Sequence, residues 1–171
     1  EVYAGSEVLQ DQKCNVTINP VFSGDGALGF EGADAFVADA AGEVNSKQDW
    51  LIVLRSSAAH HAAQFHVVFG GQKGNSTIDE VESPTVQPES KEQLQRFLDR
   101  LDSEMTALGH NTQTHETFTN TSPNLLHQHL YRKTGANVIS LFVSIELLSA
   151  PKKGYYDVLA GLVPALQELT S

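Results

Sequence analysis

A chain of 171 residues has the length of one ordinary domain, enough to bury a single core without splitting. Hydrophobic residues at 40% and charged residues at 19% exclude a disordered or coiled-coil class. Eleven Lys and Arg against 21 Asp and Glu leave a formal net charge of −10, which opposes phosphate backbones and anionic lipid, so neither nucleic acid nor a membrane is an expected partner.

In chain order, Val16, Ile18, Val21 and Phe22 predict a strand over residues 15–22 that runs into the turn Ser23-Gly24-Asp25-Gly26. Ala33, Phe36, Val37, Ala40 and Ala41 fall on one face of a helix over 32–44. Residues 50–54 and 64–69 are continuous apolar runs of strand length, as expected of strands covered on both faces. Residues 71–90, with Gly, Asn, Ser, Pro84, Pro88 and several acids, read as one long surface loop. Ser90 and Gln93 have the spacing of a capping box. They precede Leu94, Phe97, Leu98, Leu101, Met105 and Leu108 on a helical face that Gly109 ends. Residues 110–118 suit an edge strand, and Pro123 opens a helix that Gly135 stops. Residues 138–148 form the strongest buried-strand signal. Their interruption by Ser140, Ser144 and Glu146, and their length well below the ~20 residues of a span, exclude a membrane helix. Tyr155, Leu159, Leu162, Val163, Leu166 and Leu169 line a last helix, with Pro164 as a place for a kink. Alternating helix and strand patterns with short connections predict an α/β fold. The expected form is a three-layer sandwich with a mostly parallel or mixed sheet between helices, as one domain over 1–171.

Cys14 is the only cysteine, so an intrachain disulfide and a cysteine metal cluster are excluded, and a metal would be held by His, Asp or Glu. Asn15, Asn75 and Asn120 each open an Asn-x-Ser/Thr tripeptide. Together with a chain that opens on Glu1 they give the expectation of an exported, glycosylated protein. The set Gly24-x-Gly26-x-x-Gly29 matches the bare dinucleotide pattern, but Asp25 and Glu31 beside it oppose a pyrophosphate.

Seven histidines are present, and His60, His61 and His66 lie within seven positions. His66 stands inside a strand-like run, where it is either a hydrogen-bonded core residue or turned toward a cleft at a strand end, the place where open α/β sheets bind ligands. Asp25 and Glu31 flank the glycine-rich turn, where carboxylates bind a metal or hold the turn's own amides. Glu146 lies inside residues 138–148. An acid buried there demands a partner, a metal or a raised pKa, while a strand-end acid facing water demands none. His115, Glu116, His127 and His129 read as solvated positions.

Three stretches together resemble the poly-γ-glutamate hydrolase family, which is similar to zinc carboxypeptidases and N-formylglutamate amidohydrolases. These are Phe65-His66 before a glycine-containing loop, residues 118–126 around Pro123 and Asn124, and Val143-Ser-Ile-Glu-Leu147. The histidine of the family's first metal motif is Asp25 here. The resemblance implies a zinc ion on Asp25, Glu31 and His66, with Glu146 as the base that takes a proton from water and hands it to the leaving amine. Arg132 would clamp a substrate carboxylate. The expected function is zinc-dependent hydrolysis of an amide or peptide bond, with glutamate-containing polymers as one substrate class that the resemblance suggests. The alternative is an exported, non-catalytic domain that recognises a peptide, glycan or partner protein through residues 71–90.

Overall fold

A computed structural model describes residues 31–40, 44, 48–57, 63–71, 76–82, 84–115, 126–149 and 153–170. In chain order the described elements are α1 (Glu31–Ala40), β1 (Trp50–Ser57), β2 (Phe65–Val68), a 3-10 turn (Pro88–Ser90), α2 (Lys91–Ala107) and β3 (Thr112–Gln113). Then come α3 (Leu126–Thr134), β4 (Asn137–Ser144), α4 (Ile145–Ser149) and α5 (Lys153–Gln167). The expected strand over 15–22 and turn over 23–26 lie outside the described residues.

The four strands form one mixed sheet in the order β1-β4-β2-β3. β1 runs parallel to β4, β2 antiparallel to β4, and β3 parallel to β2. Alternation along β4 divides its side chains between two faces. Ile139, Leu141 and Val143 join Phe65, Val67 and the apolar faces of α2 and α5 in the main core. Val138 turns to the other face, with Leu51, Val53, Leu130 of α3 and Ala33 of α1. Helices therefore cover both faces, and the molecule is the three-layer α/β sandwich that alternation predicts.

α2 follows its sequence signal closely. Leu94, Phe97, Leu98, Leu101 and Met105 are fully buried, and Gly109 takes φ 86° at the helix end. The His110 N–H then reaches the Met105 carbonyl at 2.9 Å and the Gly109 N–H the Thr106 carbonyl at 2.9 Å, the paired bonds of a Schellman end. The capping box does not form. The turn Pro88–Ser90 already coils the chain, Ser90 sits at φ −98°, ψ 2°, and its side chain makes no cap bond. Gly135, at φ 68°, ends α3 with its N–H on the Tyr131 carbonyl at 2.8 Å, as expected of that glycine.

Two expectations are corrected. The apolar run over 138–148 is not one strand: β4 stops at Ser144, whose Oγ accepts the Leu147 N–H at 3.2 Å and so caps α4. The loop over 71–90 is not all surface. Thr85 and Val86 are buried. Thr85 receives the Val138 N–H on its carbonyl at 2.8 Å and donates its own N–H to Phe69 at 3.0 Å, closing the amino end of β4. Polar backbone that enters a core needs such partners, and strand backbone supplies them.

Candidate functional site

β1 and β4 are parallel and end together, with Ser57 opposite Ser144. The antiparallel β2 begins beside them, the Ser144 N–H reaching the Gln64 carbonyl at 2.8 Å. This carboxyl edge gathers β-strand ends, α4, the start of β2 and residues 110–111, and it is where open α/β sheets place ligands.

Strand register sets a row of side chains across the sheet near that edge. Arg55 of β1 pairs with Phe142 of β4, Phe142 with His66 of β2, and His66 with Gln113 of β3. Paired positions share a face, and this face is the one carrying α1 and α3. The Arg55 guanidinium lies 5.9 Å over the Phe142 ring. Arg55 is exposed, Phe142 half-buried and His66 buried, at 2% exposure.

A second polar group sits beneath the same edge. His110, positioned by the end of α2, holds Asp157 of α5 between Nε2 and Oδ2 at 2.9 Å. Its Nδ1 is 3.3 Å from Gln64 Oε1, which also accepts the Asn111 N–H at 3.1 Å. Both ring nitrogens are engaged inside the fold, and the His110 and Asp157 side chains are 12% and 11% exposed. The arrangement is a clasp tying α5 to the β2 entry. Thr114, His115 and Asp99 have the hydroxyl–imidazole–carboxylate connectivity of nucleophilic catalysis, at 3.1 and 2.7 Å. The Thr114 residue is 1% exposed, however, so a substrate has no access to its hydroxyl.

His127 is buried rather than solvated, because it occupies the sheet-facing side of α3. Its Nε2 lies 3.2 Å from the Gly70 carbonyl. Burial pushes its pKa below the usual histidine range, the Gly70 bond partly offsets this, and the Arg55 charge lowers it further. His129 is half-buried rather than solvated, its side chain 18% exposed, and pairs with Asp34 at 2.8 Å.

Asp25, His60 and His61 lie outside the described residues. Glu31 opens α1, on the face that His66 also occupies. Glu146 is not inside a strand. It is exposed in the first turn of α4, so the burial argument that singled it out falls away. α4 also packs Leu147 into the main core, on the opposite face of the sheet from His66. Arg132, exposed in the last turn of α3, precedes the start of β4, whereas Glu146 follows its end. The eight residues of β4, roughly 26 Å of extended chain, stand between them in sequence. Among the described residues no group of three His, Cys, Asp or Glu side chains is placed to hold a metal ion, and no helix is long and apolar enough to cross a membrane.

Arg55, His110 and Asp157 escaped the sequence reading. Arg55 had a signal, as the cation that ends the apolar run Trp50–Leu54. His110 and Asp157 are 47 residues apart and had none. No family model matches the chain, and no curated protein or solved structure matches it significantly.

Proposed function

We propose that the protein is a recognition domain that binds a peptide-like ligand or partner protein at the carboxyl edge of its sheet. One observation carries this. The exposed large hydrophobic residues of the described chain are Leu54, Ile145, Leu148 and Tyr156, from β1, α4 and α5, and α4 contacts both of the others. Isolated exposed apolar residues are ordinary, but a group from adjoining elements marks an interaction surface. Charge substitution tests it. In selections from a peptide library, binders taken by the wild type should be lost by Leu54→Asp and Tyr156→Asp while melting is unchanged. Binders that are retained by both variants would remove the edge from consideration.

A second reading is zinc-dependent hydrolysis of an amide bond, supported by His66 standing at this edge with the α1 face that Glu31 opens. Asp25, Glu31 and His66 would hold the ion, whose chemistry is Lewis acidity and activation of water. Glu146, just past the end of β4, would serve as proton acceptor. Metal analysis after dialysis against zinc should give about one ion per chain, and His66→Ala should abolish it. Glu146→Gln should lower hydrolysis by about 10²–10⁴ with zinc retained. Absence of bound zinc in the folded protein would discard this reading and leave the first standing.

A further inference from the structure

We infer that Arg55, seated on Phe142 at the carboxyl edge, is a binding site for a ligand carboxylate. The inference rests on that edge being where the protein works, and it stands on charge and register. In a chain with 21 acids and 11 basic residues, a cation without an acidic partner among the described residues stands out. Arg96 lies 3.2 Å from Glu92 and Arg100 2.7 Å from Glu104, and Lys91 and Lys133 reach Asp79 and Asp34. Arg55 makes no ion pair with any described residue; its described contact is the Phe142 ring.

An aromatic face under a guanidinium holds the plane while leaving the edge N–H groups to donate, and that planar fork matches a carboxylate with two parallel bonds. Register places His66 and Gln113 further along the same face, with His66 buried behind Phe142, so Arg55 is the group of this row that a ligand reaches. A single carboxylate suits it better than a polyanion, because the net charge of −10 repels the rest of a polyphosphate chain. Arg55 thus takes, at the edge of His66, the role that the sequence had suggested for Arg132.

Leu54 and Arg55 are successive strand residues and point to opposite faces, so the apolar patch and this site can be altered separately. The probes are N-acetylglycine, its neutral amide and inorganic phosphate, titrated by NMR against the folded protein in the presence of EDTA. N-acetylglycine should shift the Arg55 side-chain N–H and its neighbours saturably, and the amide should bind more weakly by roughly 10-fold or more, the scale of a charge-assisted bond. Arg55→Met should remove the difference between acid and amide, Arg55→Lys should restore part of it, and Arg100→Met, which removes an exposed guanidinium from α2, should leave binding unchanged. The inference is overturned if acid and amide bind alike, if phosphate binds as tightly as the acid, if Arg55→Met is without effect, or if no probe binds. Loss of peptide binders in Leu54→Asp alongside an unresponsive Arg55 would sink this inference and spare the recognition reading. The reverse pattern would do the opposite.

Discussion

At His127 the fold holds an imidazole away from water, with its Nε2 on the Gly70 carbonyl. Its pKa is lowered, so between that value and the ordinary value of about 6.5 the unfolded chain binds more protons than the folded one. Stability is therefore unaffected by this residue above about pH 6.5. It falls as pH drops below that value, until the folded-state histidine itself takes a proton. Melting temperature followed from pH 7.5 to 5 should show the decline, and His127→Gln, which keeps a donor for Gly70, should flatten it. An equal slope in the variant would place the titration elsewhere. Ser144 acts at the same scale by a different means: its Oγ takes the Leu147 N–H at the start of α4. Replacing it with Ala should lower stability by about 1 kcal/mol in denaturant unfolding, the usual worth of such a cap.

Between elements, the decisive contact is α2 against α5. Leu98 is fully buried in that layer. Leu98→Ala should cost about 2–5 kcal/mol, and a loss under about 0.5 kcal/mol would contradict its burial. The two helices approach closely because Gly161 has no side chain: a Cβ there would fall on Met105 Sδ. Gly161→Ala should accordingly destabilise by about 1–3 kcal/mol through overpacking. The loss should shrink when Met105→Ala is made as well, since the two positions share one space. Additive effects in that double-mutant cycle would show that the helices do not meet there.

For the molecule as a whole, the excess of acids sets a background of self-repulsion that no single pair relieves. Raising salt from low values to about 0.1 M, where the screening length is about 10 Å, should raise the melting temperature. The same salt should weaken carboxylate capture at Arg55, because that interaction is exposed. A melting temperature that falls with salt would mean that the ion pairs outweigh the repulsion.

Local chemistry was readable wherever period and punctuation agreed. The face of α2 and its glycine stop, the apolar strands at 50–54 and 64–69, the α3 stop at Gly135 and the α/β class all follow from side-chain spacing, turn residues and composition. These depend on neighbours in sequence, so the sequence by itself determined them. Ser144 marks the limit of that reading: a serine inside an apolar run is compatible with a strand or with a cap, and the fold decides by carrying Leu147 into the core and leaving Glu146 in water. The tertiary structure alone decided what depends on register and crossing. It brought Arg55, Phe142 and His66 into one row from three strands, joined His110 to Asp157 across 47 residues, and placed Arg132 and Glu146 at opposite ends of β4. Periodicity says which side of an element a residue occupies, but which element lies opposite is fixed only when strands pair and helices pack on them.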